Sequence, residues 1–89
     1  MKGRKKTLIL KIAGVNYPLT NLAIGETKTF DGCGVIRSTA IERTSKNYYD
    51  VSCITEHNAV HQGRSSLSEA IEYLQNFYNR YGGVGQEAT

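Results

Sequence analysis

The chain has 89 residues, 39% of them hydrophobic, with two cysteines, no tryptophan and a formal net charge of +3. This length predicts one small domain and leaves no room for a separate catalytic domain. Two cysteines are too few for a disulfide scaffold, and Cys33 and Cys53 lack the spacing of a zinc site. We therefore expect two reduced thiols.

The positive charge is concentrated at the N-terminus. Five of the eleven basic residues lie in the first eleven positions, so positions 12–89 carry six basic and eight acidic residues. A basic tail can hold phosphate non-specifically, although an ordinary solvated terminus has the same composition. We predict a flexible electrostatic tail at 1–6, one domain at 7–82 and a flexible C-terminal tail at 83–89. The basic residues of the first tail are Lys2, Arg4, Lys5 and Lys6.

Apolar runs are short throughout the chain. Even a run such as positions 8–10 is far too short to cross a bilayer, and the basic start is not followed by the apolar stretch of a secretory signal. These patterns predict a cytoplasmic protein with no membrane partner.

The N-terminal half alternates between apolar and polar residues. Positions 7–19 predict a β-hairpin that turns at Gly14. Positions 26–30 predict a short strand, which Asp31 and Gly32 would close with a turn.

Positions 35–46 fit two structures. A strand would place Val35, Arg37, Thr39, Ile41 and Arg43 on one face, a mixed set that is hard to bury. A short helix would instead group Ile36, Ala40, Ile41 and Thr44, although isoleucine and threonine are modest helix formers. Both alternatives stay open at this point.

The C-terminal part carries the clearest pattern. Positions 47–55 and 59–63 predict two strands joined by a turn, and Ser66 and Glu69 have the spacing of a capping box at a helix start. Apolar residues then recur at helical spacing as far as Gly82. This stripe contains Leu67, Ala70, Ile71, Leu74, Phe77, Tyr78 and Tyr81.

These elements predict an α+β fold. We expect an antiparallel sheet of four to six strands with the C-terminal helix packed on one face, and a second short helix at 35–45 if that alternative holds.

Side chains that could support chemistry are isolated from one another in the sequence. His57 and His61 have helical metal-ligand spacing but lie in a predicted turn and strand, and Cys33 lies between two glycines that suit a turn. The segment 32–34 lacks the lysine and the longer glycine spacing of a phosphate loop. We therefore predict no catalytic residue, no metal site and no cofactor.

Six tyrosines suggest a binding surface, because tyrosine offers rigid contact area with a polar tip. Edge tyrosines that cover the rim of a small sheet are the structural alternative. The predicted partner-binding residues are Tyr17, Arg37, Arg43, Lys46, Tyr48 and Arg64.

Two parts of the sequence resemble known families. Positions 22–30, followed by 36–38 and 49–51, resemble a sequence pattern found in small accessory and inhibitor proteins of bacteriophages. Positions 50–52, 61–65 and 68–71 are similar to the strand-strand-helix ending of HicB-type antitoxins and of AP2 and integrase-arm DNA-binding domains.

The resemblances imply three functional hypotheses. The first is a non-enzymatic phage-type inhibitor, such as an anti-CRISPR protein, that sterically blocks a host protein complex handling nucleic acid in the host cytoplasm. The second is a DNA-binding module whose sheet reads the duplex through Arg37, Arg43 and Lys46, with Arg64 on the backbone. The third is an antitoxin-like protein. Pairing of edge strands would also allow a homodimer.

Overall fold

The computed structural model describes residues 7–82. The elements, in chain order, are β1 (Leu8–Ile12), β2 (Val15–Leu19), β3 (Thr27–Cys33), β4 (Ile36–Ser45), β5 (Tyr48–Thr55), β6 (Ala59–Arg64) and α1 (Leu67–Tyr81). The two predicted tails lie outside the described residues. The predicted α+β class, with a C-terminal helix on an antiparallel sheet, is confirmed.

The strands form two antiparallel sheets. β1 and β2 pair as a separate hairpin, and β3, β4, β5 and β6 form a four-stranded sheet in chain order. The hairpin turns at Ala13 and Gly14, which have φ angles of 52° and 83°. Two successive positive φ angles are those of the I′ turn, whose twist suits a two-residue hairpin.

A second layer covers one face of the four-stranded sheet. Helix α1 contacts β4, β5 and β6 and also lies beside β1, which in turn contacts β3. Helix and hairpin together therefore form this layer. The core between the layers contains Leu10, Ile12, Phe30, Ile36, Ile41, Tyr49, Val51, Cys53, Leu74 and Tyr78, among others.

Strand β4, Ile36–Ser45, occupies the segment 35–46, so the helical alternative is wrong. The sequence alternation was misleading because β4 pairs with β5 through an irregularity: Ile36 pairs with Thr55, and Ser38 pairs with the next residue, Ile54. Arg37 is the extra residue of this bulge. As a result, Ile36 and Thr39 are both buried, whereas Arg37 is exposed.

The turn predicted at Asp31 and Gly32 is also misplaced. Both residues belong to β3, and the chain turns at Gly34 and Val35 instead. Gly34 has a φ of +63°, and a Cβ there would collide with the Gly82 carbonyl oxygen. Glycine therefore allows both the turn and its close contact with the end of α1.

Helix α1 begins and ends as the sequence predicts. The Ser66 side chain accepts a hydrogen bond from the Glu69 backbone N–H at 3.2 Å. The other half of the expected capping box differs, because the Glu69 carboxylate accepts from the Ser65 hydroxyl at 3.0 Å. At the C-terminus, the Gly82 N–H donates to the Tyr78 carbonyl at 2.8 Å.

A buried polar contact joins the two layers. The Tyr78 hydroxyl donates to the Asp31 carbonyl at 2.6 Å and lies 2.8 Å from the Thr39 hydroxyl. Since the single phenolic hydrogen is used on Asp31, Thr39 is the donor to Tyr78. Burial raises the pKa of Tyr78 to about 12, so the phenol stays neutral at physiological pH.

Candidate functional site: the groove between β6 and α1

Three aromatic side chains line one flank of helix α1. Tyr73, Phe77 and Tyr81 are spaced four residues apart and contact one another in sequence. The ring centroids are 6.2 Å apart for the first pair and 4.8 Å for the second. Spacing of four residues keeps all three on one side of the helix, so they form a continuous aromatic row.

The aromatic row faces the last strand of the sheet across an open groove. We call this the β6–α1 groove; its volume is about 670 Å³, and Val60 of β6 lines it together with the three aromatics. A smaller extension of about 280 Å³ continues from Val60 towards Val35 and the β5–β6 turn. The groove therefore runs along the junction of strand and helix.

Much of this groove is accessible to solvent. Tyr81 is 44% exposed and Val35 is 37% exposed, while Phe77, Tyr73 and Val60 are half-buried. The sequence assigned Phe77 and Tyr81 to the core stripe, and the structure instead places them at its margin. Exposed apolar surface of this kind is typical of binding sites.

Arginine side chains lie at both ends of the groove. The Arg64 guanidinium stacks over the Tyr73 ring, 4.7 Å from its centroid, and Arg80 lines the wall near Tyr81. Arg64 Nη1 also donates to the Gly63 carbonyl at 2.8 Å. Burial raises the pKa of Tyr73, and the positive charge of Arg64 acts against that rise. The groove thus combines the aromatic row and the polar side chains of Asn76 and Asn79 with an arginine towards each end.

The predicted partner-binding residues do not form one surface. Arg43 is largely committed to the fold, because its guanidinium donates to the carbonyls of Leu22 at 2.7 Å and Lys46 at 2.8 Å. It also lies over the Tyr49 ring at 5.4 Å. Arg43 and Lys46 therefore meet at one end of the sheet.

The other predicted residues lie elsewhere. Tyr17 of β2 packs edge-on against Phe30, with 6.0 Å between ring centroids, and its hydroxyl donates to Asp31 at 3.3 Å. Tyr48 lies on the face of the four-stranded sheet opposite α1, which we call the uncovered face. Its side chain lies against Gly63 of β6, where a Cβ atom would collide with the Tyr48 hydroxyl. Of the six predicted residues, Arg64 alone contacts the aromatic row. The tail residues Lys2, Arg4, Lys5 and Lys6 are outside the described residues.

No element within residues 7–82 covers the face of the four-stranded sheet opposite α1, and two carboxylates lie at its centre. Glu42 and Asp50 are directly paired across β4 and β5, and the Asp50 carboxylate lies 3.5 Å from His61 Nδ1 on β6. Lysine and arginine are absent from the two adjacent cross-strand rows of this face. These rows are Thr27, Glu42, Asp50 and Gly63, and Thr29, Ala40, Ser52 and His61.

Nucleophilic and metal-ligating side chains are dispersed. Cys53 is fully buried, and burial raises the pKa of its thiol to about 11. The half-buried Cys33 thiol donates to the Gly82 carbonyl at 3.4 Å. Within residues 7–82, there is no group of three or more His, Cys, Asp or Glu side chains placed to hold a metal ion.

Comparisons of the chain with protein-family models, curated proteins and solved structures found no match. In the part of the chain that the structure describes, no helix has the length and apolar character needed to cross a membrane.

Proposed function

We propose that this protein is a non-enzymatic binding domain that docks another protein in the β6–α1 groove. The observation that carries the proposal is the partly exposed aromatic row of α1, which lies beside the final strand of the sheet. Large aromatic and arginine side chains contribute most of the binding energy at protein interfaces. Tyr73, Phe77, Tyr81, Arg64 and Arg80 supply both kinds of side chain within one groove.

The proposed mechanism is steric occlusion. When a partner binds in the groove, this domain covers the surface that the partner uses for its own function. Such inhibition requires no chemical step. On the resemblance to small phage proteins, we propose that the partner is a cytoplasmic host complex that handles nucleic acid and that binding inhibits it. The antitoxin-like alternative also requires a protein partner.

Charge opposes the sheet-based DNA-binding alternative. Glu42 and Asp50 lie side by side on the uncovered face and would repel a phosphate backbone. Arg43, which that alternative uses for recognition, is tied to the carbonyls of Leu22 and Lys46. The binding surface that we propose is therefore on the helix side of the sheet.

Affinity capture from host lysate with matched variants tests this function. The wild-type chain and Tyr48→Ala, an exposed change on the opposite face, should retain the same partner. Phe77→Ser and, separately, Arg80→Glu should lose it, while circular dichroism shows an intact fold. The exposed Arg80 keeps the test valid if Phe77→Ser unfolds. Retention by both groove variants, or loss with Tyr48→Ala alone, would refute the proposed site.

A further inference from the structure

We infer that the occupant of the β6–α1 groove is an extended, acidic segment of the partner, which pairs with β6 as a fifth strand of the sheet. This inference rests on the proposed function, since it specifies the chemistry of the partner at the same site.

The outer edge of β6 is open to pairing. β6 ends the strand order of the four-stranded sheet, so within residues 7–82 only β5 pairs with it. Its sequence, Ala-Val-His-Gln-Gly-Arg, contains no lysine, proline or acidic residue, and Arg64, at the end of the strand, is the one side chain that carries a fixed charge. An exposed edge of this type accepts a peptide strand through backbone hydrogen bonds.

Strand β1, which also lies beside α1, has an edge whose backbone groups are already occupied by a helical side chain. The Gln75 side chain accepts from the Lys11 N–H at 2.8 Å and donates to the Lys11 carbonyl at 3.0 Å. One helical amide thus occupies both backbone groups of a β1 residue. Among the described residues, none of the three aromatic side chains of the row makes an equivalent bond to the backbone of β6.

The groove has the direction and spacing of a strand. Arg64, at the end of β6, lies over Tyr73, whereas Val60, near its start, lines the extension of the groove with Phe77 and Tyr81. Strand and helix therefore run antiparallel along the groove. Four helical residues rise about 6 Å, and alternate side chains of a strand are about 7 Å apart. Every second side chain of an added strand would thus meet the next aromatic ring.

Charge selects an acidic segment. Neither the main groove nor its extension has a carboxylate among its lining residues, whereas Arg80 lines the wall and Arg64 lies at the Tyr73 end. Acidic side chains at the two ends of the added strand would pair with these guanidinium groups. A carboxylate near Arg64 would also compete for the guanidinium that now donates to the Gly63 carbonyl.

Selection from a displayed library of random nine-residue peptides tests the inference without a known partner. The full chain is the bait, and Arg80→Glu is the counter-selection bait. The enriched peptides should alternate apolar residues with positions that are free to vary, and should carry Asp or Glu near their ends. Arg80→Glu should bind them about tenfold more weakly, and replacement of their acidic residues by lysine should have a similar effect.

A proline scan of the best peptide then reports strand addition itself. Proline removes a backbone N–H, so it should abolish binding at every second position, where that N–H faces β6. Hydrogen exchange should slow at amides within Ala59–Arg64 when the peptide is bound. Enrichment of basic or helical peptides, no enrichment, or a proline scan without a period of two would overturn the inference.

The two proposals fail separately. If a host protein is captured in a Phe77-dependent manner but no acidic strand is selected, the function stands and this inference falls. If neither assay responds to the groove variants, the proposed function falls too. If sedimentation shows a dimer that Val60→Lys dissociates, a second copy occupies the groove, and the inference is overturned.

Discussion

The two flanks of helix α1 are treated differently by the fold. Tyr73 and Gln75 lie on either side of the buried Leu74 and diverge, because each helical residue turns by about 100°. On one flank the Gln75 side chain forms hydrogen bonds to the backbone of Lys11 in β1. On the other flank Tyr73 borders the open groove beside β6. The contrast shows that exposure of an aromatic row depends on its neighbouring strand as well as on helical periodicity.

Core truncation should separate the two flanks most strongly. Leu10→Ala, on the β1 side, removes a side chain with 0% exposure and should cost about 2–5 kcal/mol of unfolding free energy. Tyr73→Ala, in the groove, should cost only about 1 kcal/mol because its ring is half-buried. Urea denaturation measures both, and equal losses would contradict the distinction.

The hydrogen bonds beneath the helix should have the next largest effect. Tyr78→Phe leaves the Thr39 hydroxyl and the Asp31 carbonyl without their shared partner. Because Thr39 is only 2% exposed, we expect a loss of about 1–3 kcal/mol. Thermal unfolding checks this, with Tyr81→Phe as the exposed control. If Tyr78→Phe left the stability unchanged, the hydrogen bonds of Tyr78 would contribute nothing to the free energy of unfolding.

Opening the closed flank should have a smaller cost. Gln75→Ala removes both hydrogen bonds to the Lys11 backbone and should destabilise the fold by about 1 kcal/mol. The more direct measurement is faster hydrogen exchange at the Lys11 amide, with no change in Ala59–Arg64. Glu72→Ala, exposed on the same helix, is the control. Unchanged exchange at Lys11 would show that Gln75 does not protect β1.

The reactivity of Cys53, which lies on β5 beside Val60 of the groove, can be measured without any substitution. The pKa of Cys53 is raised from 9.0 to about 11, so only about one thiol in a thousand is ionised at pH 8. Cys53 should therefore resist a thiol reagent until the protein unfolds, whereas Cys33 reacts sooner. The neutral thiol stabilises the fold fully below pH 9, and this contribution is lost as the pH rises towards 11. Rapid native labelling of Cys53 would mean that the groove opens down to β5.

Local patterns predicted the periodic elements well. Positions 7–19 form the expected hairpin, and positions 66–82 contain the expected capped helix. Positions 35–46 could not be assigned because the bulge at Arg37 breaks the alternation, and a bulge depends on pairing with a distant strand.

The candidate site was less accessible to prediction. The apolar spacing of Phe77 and Tyr81 is equally compatible with core and margin, and only the position of β6 distinguishes the two. Arg64 was predicted as a binding residue, but its stacking on Tyr73 joins residues of two different elements. Arg43 satisfies nearby carbonyls instead, a role that no local pattern indicates.

The paired carboxylates of Glu42 and Asp50 affect how copies of this protein can associate with one another. Identical copies stacked face to face on the uncovered sheet would bring four carboxylates together, and the resulting repulsion disfavours that arrangement. The β6 edge contains no acidic residue that would repel an approaching strand. Stacking of identical copies on this face is therefore disfavoured, whereas no carboxylate of β6 opposes a strand that approaches its edge.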